Sequence, residues 1–410
     1  MTLTIHLPTF PPDRKGETWN ESETYLDPVT LHRVRKVTCT GLYNQTPTYH
    51  TGTAWSADSR FLVFASARGG GSAIFRCHVP TGEITQLTHT FPGVGCLDEL
   101  HKLNGTCTGN GLGVTMLTCI APHSGWVVYV QGCALRSVHL ETLEERTLIE
   151  NIGAGWIAGM PSVDPEEQYV IQPMMSAHPE IAAGNAPTRT YMQHFESTGP
   201  TMRLVQVPLL GGEVREIYCE AGIGCAHSPH CPTDSEYVLL DRDKPPRLWG
   251  GSDGVTNRIW TLHLPTRRLT ELPNQDQAKF QVHSAWTWDG SSVVYHGKSA
   301  LGGYYIGVVA KDGSPIREYK FTQAGSYGHV SAMANRPAII LDGNLTSDMI
   351  LLLDYDHPTP RIEMIARHAT YWGGLPWQYS HPHQQSSPDG RFISFNAVQN
   401  GRADVYIAEV

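Results

Sequence analysis

Charge is scarce in this chain. Asp, Glu, Lys and Arg make up only 17% of its 410 residues, and the balance is acidic, at −9. An acidic chain offers nothing for a nucleic-acid backbone or an anionic membrane to bind, so no nucleic-acid or membrane partner is expected. No run of 18 apolar residues occurs, which excludes a membrane-spanning helix. No apolar stretch follows a charged start within residues 1–16, so no secretory signal is expected. No two of the nine cysteines are spaced C-x-x-C, so the paired-cysteine metal and redox patterns are missing. Buried thiols are the expectation, with one or two disulfides if the protein is exported. A cytoplasmic protein is expected. Glycosylation-type triplets at Asn20, Asn44, Asn104 and Asn344 keep a secreted one as the alternative.

Turn formers are plentiful instead, with 40 glycines and 28 prolines, which favours short strands over long helices. From Ala54 onward one unit recurs: a turn of the type S/P-x-D-G or a relic of it, a strand, a second strand, a short turn and a third strand. Copies begin near Asp58, Gly125, Asp164, Asp234, Asp289, Pro337 and Asp389. The last copy reaches the chain end one strand short, and Pro28–Val37 has the pattern of the missing outer strand. Repetition of about four strands every ~40–60 residues is the pattern of a β-propeller. The expectation is one all-β domain over residues 1–410, a seven-bladed propeller whose last blade takes an N-terminal strand. Residues 89–120 and 174–200 interrupt the pattern as long irregular insertions, the second a candidate lid containing Met174 and Met175. The G-x-G-x-G run at Gly109–Gly113 has no strand before it and no helix after it, so it reads as loop rather than phosphate cradle.

Twenty histidines stand in the chain, and several share one place in the repeat. His227, His283, His329, His381 and His383 all fall where a blade's first strand begins. In a propeller, equivalent positions of successive blades face one central cavity. Around Pro382, His381 and His383 lie two residues apart, so in extended backbone their imidazoles point to one side. Gln378 adds an amide oxygen three residues earlier. Converging neutral nitrogen and oxygen donors of this kind suit a borderline or hard divalent cation.

These residues resemble the oligogalacturonate lyases, propellers that cleave short pectic fragments. That family carries Q-x-x-H-P-H near its end and a last strand Y-I-A-D-V; here stand Gln378-Tyr-Ser-His381-Pro-His383 and Tyr406-Ile-Ala-Glu-Val410. Its H-E-F-W-x-P-D-G segment is matched by His283-Ser-Ala-Trp286-Thr-Trp-Asp289-Gly290, and its ligand histidine opening a segment that ends in D-G by His329 and Asp342-Gly343. The resemblance implies His329, Gln378, His381 and His383 as metal ligands, His283 as the base and Arg258 as the carboxylate clamp. Two departures stand out. The family's C-H-R-N-Y-F is replaced from Cys39 onward, leaving Tyr49 or His50 to fill that part of the substrate site beside His227, and Ser284 replaces the family's glutamate.

The resemblance further implies β-elimination of an acidic oligosaccharide to a 4,5-unsaturated uronate. Mn2+ suits the mixed nitrogen and oxygen donors, with Ca2+ or Zn2+ as alternatives. Two other readings stay open: a propeller lyase acting on another uronate-containing glycan, such as rhamnosyl-glucuronate ends, and a non-catalytic binding platform. A serine hydrolase with an attached propeller would need a second α/β domain, for which the chain has no spare length.

Overall fold

The computed structural model describes residues 13–410 except 42, 47, 50, 69–70, 93–117, 133, 154, 177–198, 226, 243–257, 274–279, 299–302, 322–327, 344–347, 358 and 371–380. His50, Gln378, the G-x-G-x-G run and most of both insertions lie outside these residues. Met174 and Met175 are within them, and they belong to the regular strand Tyr169–Ser176 rather than to an irregular lid.

Among the described residues every regular element is a strand. Successive stretches of chain form antiparallel sheets, each strand paired to the next. Phe280–Trp286, Ser292–Lys298, Tyr304–Ala310 and Ile316–Phe321 are one such group. Val330–Ala332, Ala338–Leu341, Met349–Asp354 and Arg361–Arg367 are the next. The turn that recurs in the sequence explains the hairpin opening each group. Asp289 Oδ1 accepts from Thr287 Oγ1 and from Ser291 N, while Gly290 N reaches back to Thr287 O. Asp389 repeats this with Ser387 Oγ and Arg391 N. An aspartate that bonds the backbone two residues on mimics a turn, and the following residue takes φ of 66° at Gly290 and 68° at Gly390, where only glycine is unstrained.

The N-terminal segment pairs at both ends of the chain. Arg33–Lys36 runs antiparallel to Arg402–Glu409, with Val34 opposite Ala408. Thr18–Asn20 lies instead along Glu83–Gln86. These two strand groups meet at a single parallel bridge, Ala403 with Tyr43, so they count as one eleven-stranded sheet. Asp27 anchors the turn between Glu23–Leu26 and Arg33–Lys36: its carboxylate accepts from the backbone N–H of Val29, Thr30 and Arg367.

Alternating residues of each strand are apolar on both faces, and the core lies between neighbouring groups. Phe61 and Val63 pack on Val127 and Val138, Ile171 and Leu204 on Val238 and Leu240, and Ile340 and Leu352 on Ile393 and Phe395. Val405 and Ile407 of the last group pack on Trp55 and Phe64 of the first. Inner strands from successive groups share a cavity of about 310 Å³, touched by Thr53, Ile120, Ser162, His230, Trp286 and Ser331.

Candidate metal centre and its surroundings

His329, His381 and His383 come together: one ring nitrogen from each lies within 4.8 Å of the others, a group able to hold a metal ion. Their ring centroids are 4.5 Å apart for His329 and His383, and 5.2 Å for His329 and His381. Each sits just ahead of a short inner strand, Val330–Ala332 or Gln385–Ser386, which aims it at the shared centre.

The ligands are held from behind. Asp342, which follows Ala338–Leu341, accepts from His329 through its backbone N at 2.7 Å and its Nδ1 at 2.8 Å. Nδ1 is thereby engaged, which leaves Nε2 as that ring's candidate ligand atom. A carboxylate behind a histidine fixes tautomer and orientation and strengthens the ligand. Burial works to raise the Asp342 carboxyl, but the His329 ring and its hydrogen bonds outweigh it and hold the carboxyl below its usual range. The Gln45 amide nitrogen lies 2.7 Å from His383 Nδ1 and its oxygen faces Tyr43 Oη, and a flip of the amide interchanges the two. With the amide turned so that its oxygen accepts from Nδ1–H, His383 also presents Nε2, and the Gln45 NH2 then donates to Tyr43 Oη. Burial, and then His329, pushes His381 down to about 3, so its ring is neutral and its lone pair available. Imidazoles bound to a cation are neutral ligands, so they leave its charge uncancelled.

Tyr49 stands in the middle. Its ring centroid is 5.0 Å from His227, 6.4 Å from His283, 5.2 Å from His329 and 4.8 Å from His383. Tyr49, His283 and His383 all have positive φ, of 56°, 49° and 47°. A residue with a side chain held there costs on the order of 1 kcal/mol or more, and such strain gathers at functional sites.

His283 differs from expectation in one respect. It does not precede an inner strand but lies inside one, Phe280–Trp286, where the register slips between Val282 and Ala285. This bulge redirects its side chain. Its Nδ1 is 2.8 Å from Nε2 of His296, and its ring is 4.4 Å from that of His329. Burial, and then His329, holds His296 down to about 4, so it is neutral. Arg258 and His227 meet on one carboxylate: Asp241 Oδ2 is 3.3 Å from Arg258 Nη2 and 2.9 Å from His227 Nδ1, and Oδ1 accepts from Ser284 Oγ at 2.8 Å. Burial raises the Asp241 carboxyl, but Arg258, then His227 and Ser284, bring it below its usual range.

Asp241, His296 and Gln45 do not stand out in the sequence, and Asp342 does so only as the end of the His329 segment. Asp241, His296 and Asp342 carry a signal in the repeat. His227 pairs with Asp241, His283 with His296 and His329 with Asp342, each partner 13 or 14 residues downstream, at or near the end of Asp234–Asp241, Ser292–Lys298 or Ala338–Leu341.

No protein-family model matches the chain. It is 23% identical over 336 residues to an oligogalacturonide lyase of Pectobacterium atrosepticum, covering 76% of this chain and 82% of that one. It is 22% identical over 410 residues to an oligogalacturonate lyase of Dickeya dadantii, covering 94% and 95%. A solved oligogalacturonate lyase in complex with manganese superimposes with a TM-score of 0.77 at 21% identity, covering 97% of this chain and 98% of that one. The oligogalacturonate lyase of Vibrio parahaemolyticus gives 0.78 at 20% identity over the same shares.

The chain is related to the oligogalacturonate lyases. The resemblance read from its C-terminal motifs therefore extends over nearly the whole length in sequence, and the likeness in fold does so as well. Among the other expectations, Cys77, Cys119 and Cys231 are buried free thiols. Asn44 is fully buried and donates to Ala403 O, so its triplet is closed to a glycan in the folded chain.

Proposed function

We propose that this protein is a metal-dependent uronide lyase that cleaves an oligogalacturonate-type substrate by β-elimination. The observation that carries the reading is the convergence of His329, His381 and His383, backed by Asp342. Gln378 is proposed as a fourth ligand from its place in the motif. The sheet pairings, the core clusters between successive strand groups and the packing of Val405 on Trp55 support a seven-bladed ring closed by Arg33–Lys36.

A divalent ion held by these nitrogens, with manganese the first choice, would supply positive charge beside the substrate's C6 carboxylate, where charge builds as the C5 proton leaves. Arg258 holds that carboxylate in a forked geometry. His283 accepts the C5 proton; its neighbour His296 is neutral and supports the ring without competing for the charge. Tyr49 and His227 line the sugar's side of the site. The C4–O4 bond then breaks and leaves a 4,5-unsaturated uronate. No hydrolytic water enters, so a glycosidase-type carboxylate pair is not required.

Elemental analysis of the purified protein, with a uronide screen read by near-ultraviolet absorbance, tests this. The expected result is stoichiometric metal and an absorbing product from an oligogalacturonide. A product only from rhamnosyl-glucuronate ends would change the substrate. Absence of both metal and product across the screen would leave a binding platform.

A further inference from the structure

The reaction proposed above removes one proton and needs another. A sugar alkoxide is a poor leaving group unless protonated as it departs. His283 takes the first proton in that reading, and no residue so far supplies the second.

His227 has the build for it. Its Nδ1–H donates to Asp241 Oδ2 at 2.9 Å, so the ring presents Nε2 on its opposite edge. The His227 side chain is 12% exposed and that of Asp241 2%, so a partly open ring is anchored on a buried carboxylate. The ring packs 5.0 Å from Tyr49, which also touches His329 and His383, so His227 faces the same space as the metal group without belonging to it. The carboxylate that holds His227 also touches Arg258 and Ser284, and so sets the spacing between the imidazole and the proposed carboxylate clamp. The arrangement repeats that of His329 on Asp342. A carboxylate behind an imidazole orients it and gives the imidazolium a counter-ion, as proton-transfer histidines require.

We propose that His227, positioned by Asp241, is the acid that protonates the departing O4 oxygen, and that Asp241 is a positioning residue for both His227 and Arg258. This rests on the lyase reading. A proton passes from His227 Nε2 to O4 as the C4–O4 electron pair leaves on that oxygen. The C5 proton passes to His283, and the C5–H electron pair becomes the C4–C5 double bond. Nothing is oxidised or reduced, and exchange with solvent restores both histidines before the next turnover.

The test compares two substrates sharing one uronate ring: one with a sugar at O4, the other with a 4-nitrophenoxy group at C4, which departs as a stable phenolate. Wild type, His227→Gln, Asp241→Asn and His283→Ala are assayed on both, with manganese content measured for each. His227→Gln is expected to lose about 100-fold or more in kcat on the sugar substrate, to stay within a few-fold of wild type on the nitrophenoxy substrate and to keep its manganese. Asp241→Asn should also lose kcat on the sugar substrate, and because it loosens Arg258 as well it should raise KM on both substrates. His283→Ala should be slow on both. Equal losses on the two substrates in His227→Gln, or no loss on the sugar substrate, overturn the acid assignment and leave the lyase reading standing. A wild type that forms no unsaturated product from either overturns the lyase reading and the acid with it.

Discussion

Asp342→Asn is the change that probes the metal centre most directly. The Asp342 side chain is fully buried and accepts two hydrogen bonds from one residue, at 2.7 Å from His329 N and 2.8 Å from His329 Nδ1. Asparagine fits the same volume and keeps one oxygen, which satisfies the backbone N–H. The other position becomes an NH2 facing Nδ1–H, so two donors oppose each other. The ring must then turn away or move its proton to Nε2, the proposed ligand atom. A hydrogen bond to a charged group is worth about 1.5–3 kcal/mol net, which corresponds to a loss of roughly 10- to 100-fold in metal affinity. Calorimetric titration of the metal-stripped protein with Mn2+ reads this. Asp348→Asn, which breaks only the partly exposed pair with Arg367, is the matched control and should bind like wild type. His381→Ala should lose the ion and the activity together. If folded Asp342→Asn binds Mn2+ with wild-type affinity, the carboxylate does not orient a ligand and the centre is wrongly built.

His283→Ala should keep stoichiometric manganese while kcat falls by about 10²- to 10⁴-fold; retention of wild-type kcat would move the base elsewhere. Stability should fall in acid through His230, which burial holds down to about 3 and whose Nδ1 lies 3.0 Å from Ser162 Oγ. A histidine kept neutral in the fold but free to protonate when unfolded contributes stability that is full above about pH 6.5. That stability is lost as pH falls toward the folded value, at up to about 1.4 kcal/mol per pH unit. Urea midpoints between neutral pH and pH ~4 should therefore fall more steeply for wild type than for His230→Gln, and parallel curves would refute the assignment. Gly307→Ala should destabilise by about 1–3 kcal/mol, because a Cβ there would run into the Tyr295 ring; an unchanged melting temperature would mean that the ring moves aside.

The chain by itself determined the all-β architecture, because alternating apolar residues and aspartate-glycine turns are local signals that need no partner to be read. It also marked His329, His381 and His383, since the Q-x-x-H-P-H segment and the place of histidines in the repeat are linear patterns. Only tertiary structure decided what stands behind them. Asp241 and His296 lie on Asp234–Asp241 and Ser292–Lys298 and Asp342 just past Ala338–Leu341, and the 13- or 14-residue spacing becomes a contact only once antiparallel pairing folds the chain back. Gln45 reaches His383 across 338 residues of sequence, because the first and last strand groups are neighbours in space. His283 appeared to be an entry residue, yet it sits in a bulge, because a register slip depends on two strands and leaves no mark in either one. Tyr49 stood in its own segment only as one of two candidates for the substrate site, and its place among four imidazoles was not legible there. Its place comes from strand groups far apart in sequence, and convergence of that kind is a property of the packed sheets rather than of any stretch of chain.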